Sequence, residues 1–168
     1  MKTLRNVLAL ISLCFISAVA FAQQDSLPVY KSHPTIPAFK LMAADSSSVY
    51  IKDVIIKNQP TVVIVFSPTC SHCQHQAEEI TSHMADLQDV NFFFSTVYAI
   101  SEMKTYINEY GLEKFKNIHV AHDANNFMGT FYNIQSLPGI YVYNKKGHLV
   151  ADFNTNVKTE TLLEALKK

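Results

Sequence analysis

Two cysteines separated by two residues are the clearest sign of chemistry in this sequence. Cys70 and Cys73 follow an apolar, β-branched run at residues 61–66 and precede a segment of helical periodicity at residues 71–88. Free backbone N–H groups at the start of a helix favour a thiolate there. A dithiol at a strand-to-helix junction is therefore suited to reversible disulfide formation, and the pattern predicts redox chemistry.

The first 22 residues have the features of a secretory signal peptide. Lys2 and Arg5 give a positively charged start, and a mostly apolar run follows at residues 7–19. Small residues then occupy the positions that a signal peptidase reads, so we expect cleavage before Gln23 and a protein that is periplasmic or otherwise extracytoplasmic. The apolar run is short for a membrane span. Retention of this segment as an anchor stays open.

Removal of the signal segment changes what the remaining composition means. Without those 22 residues the 168-residue chain is 146 residues long, which suits one domain with its own core. Cys14 leaves with the signal, so Cys70 and Cys73 form the sole dithiol. Arg5 is the only arginine in the sequence, and a mature chain without arginine is poorly suited to binding nucleic acid. A structural disulfide is disfavoured, because closing so short a loop stabilises little.

The rest of the chain alternates between strand and helix patterns. We expect an extended, proline-containing lead-in at residues 23–36 and one domain at residues 37–168. Alternating elements that end in a hairpin favour a mixed sheet with helices on both faces. The expected strands are residues 38–42, 49–51, 61–66, 91–99, 118–121, 140–143 and 149–153, and the expected helices are 71–88, 101–110, 124–132 and 159–166.

These residues resemble a known family. A strand, the Cys70-Ser71-His72-Cys73 motif and a helix, followed much later by Ser136-Leu137-Pro138-Gly139 before a hairpin, resemble the thioredoxin fold. The segment at residues 37–41, with the strand at 49–51, is similar to exported TlpA/ResA-like thioredoxins and redoxins. The resemblance covers about residues 36–168. It implies an α/β thioredoxin-like fold with a central mixed β-sheet, helices on both faces and an N-terminal strand extension.

The resemblance also implies a role for each residue of the site. Cys70 and Cys73 would form a redox-active disulfide, with Cys70 attacking the client and Cys73 resolving the mixed disulfide. A cis peptide bond between Leu137 and Pro138 would shape a loop that binds the client backbone. No cofactor and no metal are implied for this thiol–disulfide oxidoreductase. Its expected partners are exported protein thiols or disulfides and a membrane redox protein.

The residues around the cysteines differ from a standard thioredoxin. When protonated, His72 stabilises a Cys70 thiolate and makes the couple more oxidising. The TlpA/ResA resemblance instead suggests a reductase, so the direction of electron flow stays open. Ile64 stands where thioredoxins bury an acid, Gln76 stands where ResA-like reductases have a glutamate, and the chain contains no tryptophan.

Three alternative functions remain at this point. Four possible ligands lie within six residues, which would suit an extracytoplasmic zinc or copper carrier, although one helix start cannot easily surround an ion: Cys70, His72, Cys73 and His75. A peroxiredoxin-like peroxidase is disfavoured because its chemistry needs an arginine to polarise the peroxide. A binding module that kept the fold without redox activity is the third alternative, and the intact dithiol argues against it.

Overall fold

The computed structural model describes residues 27–167, so the expected signal peptide at residues 1–22 lies outside the described residues. The strands are β1 (Leu41–Ala43), β2 (Ser48–Val49), β3 (Thr61–Val65), β4 (Asn91–Thr96), β5 (Ile118–His122), β6 (Gly139–Tyr143) and β7 (Leu149–Phe153). The helices are α1 (Val29–Ser32), α2 (Ile51–Val54), α3 (Ser71–Ser82), α4 (Met84–Leu87), α5 (Ile100–Tyr110), α6 (Phe127–Tyr132) and α7 (Thr159–Ala165), with a 3-10 turn at Leu112–Lys114.

The seven strands form one mixed sheet in the order β2-β1-β5-β4-β3-β6-β7. β3 lies parallel to β4, and β4 lies parallel to β5, as expected of strands joined through helices. β6 runs antiparallel to β3 and pairs with β7 as a hairpin. Every residue of β3 and β4 is buried, which is why β3 is almost entirely apolar and β4 has three consecutive phenylalanines at its centre.

Two apolar cores lie on opposite faces of this sheet. On one face α3, α5 and α7 pack through residues such as Ile80, Tyr106 and Leu162. On the other face α1, α2 and α6 cover a cluster of four buried tyrosines: Tyr30, Tyr132, Tyr141 and Tyr143. The mixed α/β, thioredoxin-like fold with helices on both faces is therefore confirmed.

The N-terminal part of the described chain differs from the expected extended lead-in. Residues 29–32 form the short helix α1, which begins directly after Pro28 and buries Tyr30 against the rings of Tyr132 and Tyr141. Proline fixes a backbone angle that suits the start of a helix, so it does not imply extended chain there. The expected strand pair is present as β1 and β2, but Ile51 begins α2 instead of ending a strand.

Other helices also differ from their expected limits, and the one expected at residues 124–132 begins only at Phe127. The helix expected at residues 71–88 is divided at His83 into α3 and α4. The helix expected to be capped by Ser101 instead has Ala99 as its N-cap, because the Glu102 carboxylate accepts a hydrogen bond from the Ala99 N–H at 3.2 Å. Gly111 ends that helix in the left-handed conformation, with φ 60°, as its position predicted. Among residues 27–167, no helix is both long and apolar enough to cross a membrane.

Candidate active site

Both cysteines lie at the carboxyl end of the central strand β3. A four-residue segment leads from Val65 to Cys70, which is the N-cap residue of α3, with φ −84° and ψ 119°. Cys73 follows in the first turn of α3, and both residues are free thiols. Cys70 is partly exposed, whereas Cys73 is 1% exposed. A large partner can therefore reach Cys70 but not Cys73.

Burial makes the Cys73 thiol hard to ionise. It raises the pKa of Cys73 from 9.0 to about 12, and the adjoining Cys70 thiol acts in the same direction. A hydrogen bond with the Ser67 backbone opposes this shift but does not cancel it. At neutral pH Cys73 is therefore a protonated thiol held behind Cys70.

The loop before β6 completes the surface around Cys70. The peptide bond between Leu137 and Pro138 is cis. The Cys70 thiol donates to the Leu137 carbonyl oxygen, with 3.7 Å between sulfur and oxygen. The Leu137 side chain contacts both apolar cores, and Pro138 is buried. Two distant parts of the chain, 67 residues apart, thus meet at one point of the surface.

The His72 side chain points toward a distant loop that no sequence pattern linked to it. Its Nδ1 lies 3.0 Å from the Asn156 side-chain oxygen, in the segment between β7 and α7. His75 lies one turn further along α3, where its Nδ1 is 2.7 Å from the Ser71 carbonyl oxygen. Across residues 27–167 there is no group of three or more histidine, cysteine, aspartate or glutamate side chains placed to hold one metal ion.

Gln76 and Ile64 occupy the interior behind the dithiol. Ile64 is 1% exposed and packs in the apolar core, so an uncharged side chain fills this position on β3. Gln76 is fully buried, and its side-chain oxygen accepts a 2.7 Å hydrogen bond from the Val157 N–H. This bond joins α3 to the segment that leads into α7. The helical pattern had predicted neither the burial of Gln76 nor its partner.

Tyr106 is a residue of the site that sequence reasoning treated only as part of an apolar helix face. Its hydroxyl donates a 2.7 Å hydrogen bond to the backbone carbonyl oxygen of Cys73. Its ring packs on Phe66, with 4.5 Å between ring centroids, and burial raises the pKa of its hydroxyl. Spacing along α5 identified the buried position of Tyr106, but only the fold places its hydroxyl against Cys73.

Two cavities flank the residues around Cys70. One, of about 200 Å³, lies between Pro68, Thr69 and α5, and it is lined by the carboxylates of Glu102 and Glu109. The other, of about 190 Å³, lies on the side of Leu137 and has no charged side chain in its wall. The wall of the first cavity therefore contains two acidic residues, whereas the wall of the second is uncharged and mostly apolar.

Comparison with solved structures gives the same fold. The structures similar to this chain include a secreted disulfide oxidoreductase of Mycobacterium tuberculosis homologous to DsbE of E. coli, at 17% identity and a TM-score of 0.64, covering 77% of this chain and 95% of that one. StoA of Bacillus subtilis aligns at 15% identity and a TM-score of 0.60, covering 79% and 98%. A thiol-disulfide oxidoreductase of Bacteroides fragilis aligns at 14% identity and 0.64, covering 79% and 97%.

Sequence comparison identifies the family directly. Curated protein sequences contain no match to this chain. The family described as a thioredoxin-like domain matches residues 48–168, which is more than two thirds of the chain and includes both cysteines and the cis-proline loop. On this match, and with the sheet and site geometry above, the chain belongs to the thioredoxin-like family.

Proposed function

We propose that this protein is a thiol–disulfide oxidoreductase that exchanges disulfides with exported protein clients through Cys70 and Cys73. The observation that carries the proposal is the pairing of a partly exposed cysteine at the start of α3 with a buried cysteine one turn later. The cis-proline loop reaches the exposed thiol, as the contact between Cys70 and the Leu137 carbonyl shows.

The exchange proceeds in two steps that balance electrons and protons. The Cys70 thiolate attacks one sulfur of a client disulfide, so that a Cys70–client bond forms and the client bond breaks. The released client sulfur takes up a proton. Cys73 then gives up its proton and attacks the Cys70 sulfur, which releases the second client thiol and leaves a Cys70–Cys73 disulfide. Two electrons and two protons have passed to the client, and the reverse sequence oxidises a client dithiol.

The burial of Cys73 fits the resolving role. A thiol with a pKa of about 12 is a poor nucleophile in the resting protein, so Cys70 is the residue that meets the client. Once the mixed disulfide forms, Cys73 is the only other cysteine among residues 27–167 that can resolve it. The client backbone would lie along the loop at Leu137 and Pro138, as the family resemblance implies.

We further propose that the protein acts outside the cytoplasm. The sequence pattern at residues 1–22 supports export, with a lead-in at 23–36 and the catalytic domain at 37–168. One similar structure is that of a secreted disulfide oxidoreductase. A membrane redox protein of the dithiol class would reset the Cys70–Cys73 pair after each cycle, in keeping with an enzyme of the TlpA type.

The decisive experiment compares wild-type protein with Cys70→Ser and Cys73→Ser in the reduction of a disulfide-bonded protein substrate. Wild type should reduce the substrate, Cys70→Ser should be inactive, and Cys73→Ser should accumulate a mixed disulfide that is visible on a non-reducing gel. Activity retained by Cys70→Ser would contradict the mechanism. Equilibration with glutathione then gives the reduction potential of the Cys70–Cys73 pair and with it the direction of electron flow. A value of about −270 mV indicates a reductase, and a value of about −120 to −180 mV indicates an oxidant.

A further inference from the structure

Four lysines line one cavity at the end of the sheet opposite to the dithiol. The cavity has a volume of about 280 Å³ and lies between α2, the segment that leads to β3, and the turn that joins β6 to β7. The cavity adjoins Thr61, the first residue of β3, whereas Cys70 follows the other end of that strand. We call it the lysine cavity, after Lys52, Lys57, Lys145 and Lys146.

The protein does not neutralise the positive charge of the lysine cavity. None of the four lysines forms an ion pair with a carboxylate of residues 27–167, where Lys31 is the lysine that does so, with Asp152. The described residues that line the cavity include no aspartate or glutamate. Four like charges around one cavity repel one another, which destabilises the free protein. The charge distribution therefore favours an anionic ligand, which would relieve this repulsion.

Two asparagine side chains hold the backbone that carries these lysines. The buried Asn91 side chain accepts a 2.8 Å hydrogen bond from the Ile56 N–H and donates one of 2.9 Å to the Ile56 carbonyl oxygen, directly before Lys57. In the turn after β6, the Asn144 side-chain oxygen accepts a 3.0 Å hydrogen bond from the Lys146 N–H. Because the backbone on both sides of the cavity is fixed, a ligand has to order only the lysine side chains.

The rest of the wall indicates what accompanies the anionic group. Ile36, Ile55 and Ile56 line the lysine cavity and are each partly exposed, so they offer apolar contact to the carbon atoms of a ligand. The volume is close to the lower end of the range of roughly 300–1,000 Å³ that is usual for small-molecule sites. This space exceeds what a bare ion needs and suits an anionic group joined to a small organic group.

The number of lysines favours a phosphoryl group over a carboxylate. A phosphate monoester has about two negative charges at neutral pH and three acceptor oxygens, whereas a carboxylate has a single charge. Lysine binds phosphate as a point charge, and it does not need the planar geometry that arginine provides. Lysines that converge from two segments of the chain can therefore contact one phosphoryl group together.

We propose that the lysine cavity binds a phosphate monoester, with the phosphoryl group among the four lysines and the organic group against the isoleucines. This chemistry is common to a soluble phosphorylated compound and to the headgroup of phosphatidic acid, and the test distinguishes the two sources. The site is separate from the disulfide exchange proposed at Cys70 and does not depend on it.

The first part of the test is calorimetric titration of the protein with phenyl phosphate at low ionic strength. We expect one equivalent to bind, and to bind more tightly than inorganic phosphate, because the ring contacts the isoleucines. Lys145→Gln/Lys146→Gln should weaken binding by about tenfold or more, as expected from the loss of charge-assisted hydrogen bonds. Without ligand, this variant should unfold at no lower temperature than wild type, because it removes repulsion.

The matched control is Lys40→Gln/Lys104→Gln. It removes the same charge from two exposed positions that do not line the lysine cavity, so it should bind phenyl phosphate as wild type does. Both double variants should reduce a disulfide-bonded protein at the wild-type rate, which separates this site from the exchange at Cys70.

The second part identifies the source of the phosphoryl group. Wild type and both variants are sedimented with phosphatidylcholine vesicles that contain or lack phosphatidic acid. Cosedimentation that requires phosphatidic acid and is lost only in Lys145→Gln/Lys146→Gln assigns the site to a lipid headgroup. Binding of phenyl phosphate without cosedimentation assigns it to a soluble ester. Either result supports the phosphate site.

Four results would overturn the inference. The first is that wild type binds neither phenyl phosphate nor vesicles with phosphatidic acid. The second is that the control variant loses as much affinity as Lys145→Gln/Lys146→Gln. The third is that sulfate binds as tightly as phenyl phosphate, which would reduce the site to a general attraction for anions. The fourth is that a tetraglutamate peptide binds more tightly than phenyl phosphate, which would assign the lysines to an acidic protein partner.

Discussion

The Tyr106 hydroxyl donates a 2.7 Å hydrogen bond to the backbone carbonyl oxygen of Cys73. This contact joins the middle of α5 to the first turn of α3. Tyr106 is 1% exposed, and its ring packs at a tilt against Phe66, the residue that follows β3. The turn of helix that carries the buried thiol is thus held by a side chain from a neighbouring helix.

Tyr106→Phe removes this hydrogen bond and leaves the ring in place. We expect the free energy of unfolding to fall by about 1 kcal/mol, the usual net value of one buried hydrogen bond. Urea denaturation of the reduced protein measures the loss. Tyr110→Phe is the control, because it removes a hydroxyl from the less buried ring that packs at a tilt against Tyr106. If both variants lose the same free energy of unfolding, the hydrogen bond to Cys73 contributes no more than any other tyrosine hydroxyl at this helix face.

Because the pKa of Cys73 is raised in the folded protein, we expect the free energy of unfolding to fall as the pH rises in the alkaline range. Between 9.0 and about 12 the unfolded chain loses a proton that the folded protein keeps, so unfolding becomes more favourable as the pH rises. The contribution of the protonated Cys73 thiol to stability is fully present below its pKa in the unfolded chain, and it is lost as the pH rises toward its pKa in the folded protein. We expect a slope that approaches about 1.4 kcal/mol per pH unit.

This prediction is tested in a background where no internal disulfide can form. Denaturation of Cys70→Ala and of Cys70→Ala/Cys73→Ala is compared across the alkaline range. The stability difference between them should change with pH, because only the first protein retains the buried thiol, whereas the buried tyrosines are common to both. A difference that stays constant through this range would contradict the burial of an ionisable thiol at Cys73.

His72 is expected to raise the reduction potential of the dithiol. His72 lies between the two cysteines in sequence, and its side chain is directed to Asn156 at 3.0 Å. If its imidazole favours the reduced pair, His72→Ala should make the pair more reducing, by about 30 mV for each tenfold change in the equilibrium constant with glutathione. His75→Ala is the control, since His75 lies on the same helix but is bound to the Ser71 carbonyl. If both variants have the wild-type potential, His72 does not tune the couple.

Glu79 should make the docking of α7 sensitive to acid. Its carboxylate accepts 2.8 Å hydrogen bonds from the Thr159 N–H and the Thr159 hydroxyl, at the start of that helix. The N–H bond is the main cause that lowers the pKa of Glu79 below 4.5, and the nearby His83 adds to it. The stabilisation is therefore present above pH 4.5 and is lost as the pH falls toward the lower, folded value.

Glu79→Gln isolates this effect, because glutamine keeps an acceptor oxygen but does not titrate. The difference in unfolding free energy between wild type and Glu79→Gln should shrink as the pH falls below 4.5. Glu78→Gln, which changes the exposed neighbour on the same helix, should show no such convergence. Thermal unfolding at a series of acidic pH values gives both comparisons. Parallel curves for wild type and Glu79→Gln would contradict the predicted linkage.

The sequence predicted the centre of the fold better than its margins. β3 and β4 are buried on both faces, so the consecutive apolar residues in each of them predict a strand without reference to the rest of the chain. The division of the long helix at His83 and the formation of α1 after Pro28 depend on tertiary packing, which no local pattern contains. The sequence signal for the start of α5 is Glu102, three residues after Ala99, and not Ser101.

In the candidate site, too, the sequence predicted the local features but not the contacts between distant residues. The spacing of Cys70 and Cys73 is local, and the sequence alone was enough to locate both on one helix start. The partners that shape their surroundings are distant: Asn156 lies 84 residues from His72, and Val157 lies 81 residues from Gln76. Such contacts arise because α7 returns to pack beside α3, and a single sequence contains no record of that pairing.

The burial of Cys73 also fixes how many partners one molecule can hold. Only Cys70 is accessible from outside, and these two are the only cysteines among residues 27–167. Residues 27–167 therefore have a valence of one: they form one mixed disulfide at a time and cannot link two clients into a chain. Under oxidising conditions, the described part of the protein can close its own disulfide or join one partner, and it has no second site from which a covalent network would grow.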